Sequence, residues 1–282
     1  MNHLTGQQAG NDDDEEDEDD ARGEGPLERC KNGTHCQNSP YLVDGISESR
    51  GDHCNLTFPC VQRSQMSGYP PYQAPEASHR YVLDAIRETD RDRFLAALFA
   101  PEPARRDLLA MLAFDHELAR TRIVTREPLL ARIRLEWWRE ASVEAAGTGQ
   151  ARAQPIVDAL TEAVRRHGLA HDALAALIDA REEEIEGSLD VMRTGGALAD
   201  LQLGVLDVTD FATREAAHAV GAAWLMGEGP QRAALLAEAR ALRNRVDPRA
   251  LPILLPALTL DRPLSPWRTP LAYWWAARRG RY

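Results

Sequence analysis

Residues 106–120 read Arg106-Asp-Leu-Leu-Ala-Met-Leu-Ala-Phe114-Asp-His-Glu-Leu-Ala-Arg120. Apolar residues recur here every three or four positions, which is the period of an α-helix with one side against a core. One face carries Leu108, Leu112, Asp115, Ala119 and Arg122, and a neighbouring face carries Leu109, Leu112, His116, Ala119 and Ile123. The pattern places Asp115 and His116 beside the core. This polar pair is either satisfied by an arginine or a backbone carbonyl, or it belongs to a ligand site.

The same helical period continues over nearly all of the chain beyond residue 77, and no stretch alternates with period two for long enough to form a sheet. The sequence therefore predicts an all-α domain, with Ser78 as the cap of its first helix. Eight helices are predicted, at residues 79–99, 103–124, 127–146, 154–167, 171–186, 195–207, 211–245 and 264–279. The seventh is expected to break at Gly227-Glu-Gly-Pro230.

The N-terminal part of the chain differs in composition. Residues 1–65 carry 14 acidic and 5 basic side chains, including nine consecutive carboxylates from Asp12 to Asp20. Their mutual repulsion rules out a packed element, so we predict a disordered, acidic and Pro-rich tail over residues 1–76 and a single helical domain over 77–282. Met66 is the expected native start. The remaining 30 acidic and 28 basic side chains nearly balance, which argues against a nucleic-acid partner.

All four cysteines lie in the predicted tail, at Cys30, Cys36, Cys54 and Cys60. Five residues separate the members of each pair, and a histidine accompanies each pair. Structural zinc sites usually hold their cysteines two to four residues apart. Zinc binding and disulfide formation are therefore alternatives to the favoured reading, in which these cysteines have no role, and no metal site is predicted.

The C-terminal helix combines aromatic and cationic side chains, namely Leu271, Tyr273, Trp274, Trp275, Arg278, Arg279 and Arg281. This composition is typical of a helix that lies at a membrane interface, and the alternative is that the helix packs on the core. No apolar run approaches the roughly 18–20 residues of a membrane-spanning helix, and the N-terminus lacks a signal-peptide pattern. We expect a cytoplasmic protein or one peripheral to the inner membrane.

Two adjacent tryptophans, Trp137 and Trp138, lie in the third predicted helix. Neighbouring residues cannot share a helix face, so one indole is predicted in the core and the other in a cleft or partner surface, unless both are core.

Carboxylates four residues apart could hold Mg²⁺. They occur at Asp84/Glu88, Glu136/Glu140, Glu140/Glu144, Asp158/Glu162 and Asp179/Glu183. Arginines lie among them, which favours ordinary solvated helix faces.

Three segments resemble a known family. They are Asp90-Arg-Asp-Arg-Phe94-Leu-Ala-Ala-Leu-Phe-Ala-Pro101, the stretch 106–120, and Ile133-Arg-Leu-Glu-Trp-Trp-Arg-Glu-Ala141. Their order and spacing are similar to the squalene/phytoene synthase superfamily, and most similar to the branch of mitochondrial complex I assembly factor 6 and its bacterial relatives. The resemblance implies a helical domain of the isoprenoid-synthase type.

Active members of that superfamily bind Mg²⁺ and prenyl diphosphates between two aspartate-rich helices, and this sequence departs from both. In the register of the resemblance, Ala119 and Ile123 stand where the first and last aspartates of the first cluster belong. The second cluster normally follows a segment matched by Gly221-Ala-Ala-Trp224, but the chain is shortened near residues 227–238 and the acids are missing.

The leading functional prediction is a non-catalytic member of the superfamily that serves as an assembly or lipid-binding factor for respiratory complex I. The alternatives are an active Mg²⁺-dependent prenyltransferase and a bare helical scaffold for an unrelated partner. No catalytic residue and no cofactor is predicted, and Mg²⁺ belongs only to the enzyme alternative. The expected partner is an isoprenoid lipid or a complex I assembly intermediate. The candidate cavity residues are Asp115, His116, Glu117, Arg120, Arg134, Trp137, Trp138 and Trp224.

Overall fold

The computed structural model describes residues 75–124, 127–147 and 150–282, and the regular elements in these ranges are all helical. The helices are α1 (Pro75–Thr89), α2 (Arg91–Ala97), α3 (Ala104–Val124), α4 (Pro128–Ala146), α5 (Pro155–His167), α6 (His171–Glu186), α7 (Val191–Val205), α8 (Phe211–Leu225), α9 (Pro230–Leu242), a 3₁₀ turn (Pro248–Ala250), α10 (Leu251–Leu254), α11 (Ala257–Asp261) and α12 (Arg268–Arg279). The all-α prediction is confirmed. None of the described helices is long and apolar enough to cross a membrane. The four cysteines and the tail as far as residue 74 lie outside the described residues.

The first predicted helix, at residues 79–99, is wrong in two respects. It is two helices, because Asp90 leaves the helical conformation and its side chain accepts a hydrogen bond from the Arg93 backbone N–H at 3.1 Å. It also starts at Pro75, so Ser78 is not its cap. The Ser78 hydroxyl instead donates to Asp158 of α5 at 2.9 Å and joins the two helices.

The C-terminal third also differs from the prediction. Helix α7 begins at Val191 rather than at residue 195, because Asp190 caps it by accepting from the Arg193 backbone N–H at 3.0 Å. Residues 246–263, for which no helix was predicted, contain the 3₁₀ turn, α10 and α11. Each of these elements is at most five residues long, which is too short for helical periodicity to appear in the sequence.

Helix α3 lies at the centre of the core. Its residues Asp107–Asp115 are all buried, and it packs against α1, α4, α5, α6 and α7. A helix that is buried on every side needs apolar residues on every side, which explains why two neighbouring faces were predicted to be apolar. The prediction fails at the end of the helix, where Ile123 is 80% exposed.

Helices α7 and α8 approach each other so closely that their backbones touch. A Cβ atom added at Gly195 would lie less than 3.0 Å from backbone atoms of Gly221 and Ala222, and one added at Gly221 would meet the backbone of Gly195. Only glycine permits this contact, because any side chain would separate the two helices. The short connection Met226–Gly229 then leads from α8 into α9.

Candidate functional site

Five of the eight candidate residues line one cleft between α3 and α4. Its volume is about 370 Å³, and its walls are formed by Glu117, Arg120, Thr121, Arg134, Trp137, Trp138 and Gln154. Small-molecule sites have volumes of about 300–1,000 Å³, so the cleft is large enough for a ligand. We call it the α3–α4 cleft.

The two tryptophans lie in different surroundings, which is one of the two alternatives that the sequence left open. Trp138 is buried against Phe114, with ring centroids 5.6 Å apart, whereas Trp137 is 37% exposed and lies in the wall of the cleft. Their rings meet edge to face at 4.9 Å. The guanidinium of Arg152 lies over the Trp137 ring, 4.7 Å from its centre, and helps to hold that indole in place. The cleft therefore presents an aromatic surface fixed by its neighbours.

Charged groups surround this aromatic surface. Arg120 donates to Glu117 at 2.7 Å within the cleft, and Arg134 is an exposed second cation in its wall. Behind Trp137, Arg152 donates to Glu144 at 2.6 Å, and this hydrogen bond lowers the pKa of Glu144. With indoles and arginines side by side, the α3–α4 cleft suits a ligand that has an apolar part and an anionic part.

Asp115 lies outside the cleft, in a buried network of charges. Arg181 donates to Asp115 at 2.6 Å and to Glu184 at 3.1 Å, and Arg122 donates to Glu184 at 2.7 Å. An Arg93 nitrogen is 3.6 Å from the second Asp115 oxygen. Burial alone would lower the pKa of Arg181, but the charge and hydrogen bond of Asp115 outweigh it and raise that pKa. Asp115 is thus the satisfied core-boundary carboxylate that the sequence offered as one alternative.

Trp224 lies beside this network rather than in the cleft. Arg93 stacks on the Trp224 ring at 4.8 Å, and both line a gap between α2, α7, α8 and α10. The gap has a volume of about 30 Å³, roughly a tenth of the size of an ordinary small-molecule site. It can hold water but not a lipid chain. The eight candidate residues therefore do not form one cavity, and His116, half-buried on α3, lines neither space.

Comparison with known proteins gives this arrangement a context. Residues 86–226, half of the chain, match the profile of squalene/phytoene synthase. The chain belongs to the squalene/phytoene synthase family. Its fold is also similar to that of squalene synthase HpnC from Alicyclobacillus acidocaldarius, with a TM-score of 0.52 and 15% identity over 73% of this chain and 95% of that one. At that identity, the likeness shows the fold alone.

Curated relatives in the family carry the name NADH dehydrogenase (ubiquinone) complex I, assembly factor 6. The protein from Mus musculus is 31% identical over 52% of this chain and 46% of its own length, and that from Rattus norvegicus is 32% identical over the same shares. The protein from Homo sapiens is 27% identical over 51% of this chain and 45% of its own length. The matched region thus spans about half of each of these relatives.

Within the part of the chain that the structure describes, four of the five carboxylate pairs that the sequence spaces four residues apart are engaged by other side chains, and Asp84/Glu88 is the exception. Arg139 donates to Asp179 at 2.7 Å, and Arg152 bridges Glu140 and Glu144. Asp158 accepts from Ser78, and Glu162 lies 2.8 Å from His79. Among the described residues, no group of three or more His, Cys, Asp or Glu side chains is placed to hold a metal ion.

The sequence reasoning missed several polar and charged residues that stabilise this fold. Asp107, fully buried on α3, accepts two hydrogen bonds from Arg166 at 2.5 and 2.6 Å. The Nε2 atom of His167 lies 2.8 Å from an Asp107 carboxylate oxygen. Arg181 and Gln154 were also overlooked as neighbours of the candidate sites. Arg166 lies 59 residues from Asp107 along the chain and Asp115 lies 66 residues from Arg181, so no local pattern could have linked them.

Proposed function

We propose that this squalene/phytoene synthase family member is non-catalytic and serves as an assembly or lipid-binding factor for respiratory complex I. The names of its curated relatives support the assembly role. We also propose that the α3–α4 cleft binds an isoprenoid lipid and that helix α12 makes a peripheral contact with a membrane. No resident cofactor is part of this proposal.

The observation that carries the non-catalytic reading is that every acidic side chain of α3 is paired with an arginine. Asp107 pairs with Arg166 at 2.5 Å, Asp115 pairs with Arg181 at 2.6 Å, and Glu117 pairs with Arg120 at 2.7 Å. Ionisation of a prenyl diphosphate needs Mg²⁺ held by clustered carboxylates, because the cation must stabilise charge on the leaving group. Carboxylates neutralised by arginines are poor ligands for a cation.

The aromatic and cationic character of the cleft supports the lipid part of the proposal. Trp137 offers a flat apolar wall, and Arg134 offers an exposed guanidinium that can donate to an anion. An isoprenoid with an acidic head group matches both. The same cleft could instead hold an amphipathic segment of a complex I assembly intermediate, and mass spectrometry of an organic extract of the purified protein distinguishes the two. Recovery of a polyprenyl lipid supports the isoprenoid.

The enzyme alternative follows from the family to which the chain belongs, which is described as squalene/phytoene synthase. The decisive experiment is incubation of the purified chain and Mg²⁺ with farnesyl or geranylgeranyl diphosphate, with an active squalene synthase as the positive control. We expect no head-to-head condensed product above a no-protein control. Product that disappears when Mg²⁺ is removed, or in an Asp115→Ala variant that remains folded, would show that the protein is an enzyme.

The assembly role has its own test, in cells that lack this gene. We expect the assembled, active NADH dehydrogenase complex I on native gels to decrease and to recover when the chain is restored. Trp137→Ala should restore it poorly because the cleft loses its aromatic wall, whereas Phe211→Ala, which changes an aromatic side chain that is 74% exposed on α8, should restore it fully. Unchanged complex I in the deleted strain contradicts the role.

A further inference from the structure

The last 21 residues of the chain have an unusual charge. The segment Arg262–Tyr282 contains five arginines and no acidic residue, whereas residues 66–261 contain 30 acidic residues and 23 arginines. Positive charge is thus concentrated at one end of a domain that is otherwise acidic. Such segregation produces a local field that attracts anionic surfaces.

Large apolar side chains are exposed in the same segment. Trp267 is 66% exposed, Leu271 55%, Trp274 48% and Trp275 51%. Leu271, Trp274 and Trp275 are spaced three and four residues apart, so they form one stripe along α12. Single exposed apolar residues are common on proteins, but a contiguous stripe of indoles is not, and it indicates an interaction surface.

The cations and the indoles are paired along the helix. Arg278 lies over the Trp274 ring at 5.7 Å and Arg279 lies over the Trp275 ring at 4.8 Å, both at the spacing of one helical turn. Arg268 lies over Trp267 at 5.0 Å. These contacts keep each guanidinium beside an apolar ring. The result is a surface on which positive charge and apolar area alternate within a few ångströms.

The opposite side of α12 is fixed to the rest of the protein. Tyr273 is buried, its hydroxyl is 3.1 Å from that of Thr259, and its ring meets Phe99 edge to face at 6.5 Å. Beyond the helix, the Tyr282 hydroxyl donates to the Ala239 carbonyl at 2.6 Å. Helix α12 is therefore packed on the core through Tyr273. Its stripe of Leu271, Trp274 and Trp275 is already exposed, so binding needs no unfolding of the helix.

We infer that α12 lies flat on an anionic bilayer, with its indoles at the level of the lipid head groups and its arginines against lipid phosphates. A helix of 12 residues is about 18 Å long, which is shorter than the roughly 30 Å hydrocarbon core, so it rests on the bilayer. Tryptophan and arginine are the residues that anchor interfacial helices. Leu271 and three indoles need an apolar environment, which favours a membrane over nucleic acid or an acidic protein. This inference rests on the peripheral contact in the proposed function and names its lipid chemistry.

Co-sedimentation of the full chain with vesicles tests the inference. We expect binding to vesicles of phosphatidylcholine mixed with phosphatidylserine, little binding to phosphatidylcholine alone, and release in salt of about 1 M, where the Debye length falls to about 3 Å. Tryptophan emission should shift to shorter wavelength on binding. An arginine near an anionic surface changes affinity about fivefold, so the double variant Arg278→Gln/Arg279→Gln should bind about 25-fold more weakly.

Control variants distinguish binding through α12 from nonspecific binding by any exposed arginine or aromatic residue. The double variant Arg243→Gln/Arg245→Gln removes two exposed arginines that follow the C-terminal end of α9. Phe211→Ala removes an exposed aromatic ring. Both variants should bind vesicles as the unchanged protein does. Trp275→Ala should weaken binding, with circular dichroism confirming that it stays folded. Equal binding to neutral vesicles, no binding to either kind, or displacement of the vesicles by single-stranded RNA would overturn the inference. Equal binding to neutral vesicles would refute the anionic lipid chemistry and leave the peripheral contact, whereas no binding to either kind would refute both. The condensation and complex I assays test the rest of the proposed function independently.

Discussion

Replacing Gly195 with alanine adds one methyl group at the point where α7 and α8 touch. That Cβ would lie less than 3.0 Å from the backbone of Gly221 and Ala222, whereas ordinary carbon contacts are about 3.5–4.0 Å. Neither neighbour can move as a side chain does, so the two helices must separate by roughly 1 Å. The substitution therefore disrupts the backbone contact between Gly195 and Gly221, which also line the small gap beside Trp224.

The expected magnitude follows from two opposing effects. Overpacking of a buried contact costs about 1–3 kcal/mol, and we place this one at the upper end because backbone opposes backbone. Alanine also favours the helix over glycine by about 1 kcal/mol. We expect a net loss of about 2 kcal/mol in the free energy of unfolding, or a Tm lower by about 4–8 °C.

Gly204→Ala is the matched control because it lies in the same helix and gains the same helix propensity. Its Cβ would meet only the end of the Leu169 side chain, which can rotate away. Thermal unfolding followed by circular dichroism should show Gly204→Ala close to the unchanged protein and Gly195→Ala clearly below it. If Gly195→Ala is as stable as Gly204→Ala, the two helices are not in backbone contact and the space between them could accept a ligand.

Three further predictions concern charges and the tail. Asp115→Asn should lower the free energy of unfolding by about 3 kcal/mol, because it leaves Arg181 buried with a weakened partner, while the exposed Glu238→Gln should change it little. Burial would raise the pKa of Asp200, but hydrogen bonds from His218 and Arg214 outweigh burial and lower it. The contribution of Asp200 to stability is therefore present above the unfolded-state pKa of about 3.9 and is lost as pH falls through the lower folded-state pKa. Asp200→Asn should make Tm fall less steeply as the pH is lowered. An unchanged dependence of Tm on acid pH would contradict this prediction. A chain that starts at Met66 should melt at the same temperature as the full chain, and stoichiometric zinc lost on this truncation would instead assign the cysteines to a metal site.

Helices with local start and stop signals were predictable from the sequence. Helix α5 was predicted at residues 154–167 and spans Pro155–His167, because Gln154 caps it, proline occupies its first position and Gly168 takes the left-handed conformation at its end. Helix α6 matches its predicted bounds of 171–186 as well. The break at Asp90 was missed because the apolar period continues through it, and only the geometry of the cap reveals it.

The candidate site was predictable in part, for a related reason. Helix geometry turns Trp137 and Trp138 to different sides of α4, and the structure selects the alternative in which Trp138 is core and Trp137 lines the cleft. Asp115 was correctly placed beside the core, but its partner Arg181 is 66 residues further along the chain, and no local pattern links the two. Grouping Asp115 with the cleft was therefore an error of tertiary structure. Sequence periodicity predicts which side of a helix a residue lies on. Only the tertiary structure shows which residues of other helices face that side.

A helical family fold can outlast its chemistry because the two depend on different residues. Packing of α3 uses buried apolar side chains such as Leu108 and Leu112, and these remain. A carboxylate in a cavity wall must be desolvated or paired, whereas Ala119 in the same place carries no such cost. Trp137 and Trp275, in contrast, are substantially exposed and contribute little to the core that they cover. Large indoles kept at the surface of a stable domain are better explained by partners that cover them than by folding. The exposed Trp137 and Trp275 therefore agree with the binding role that we propose.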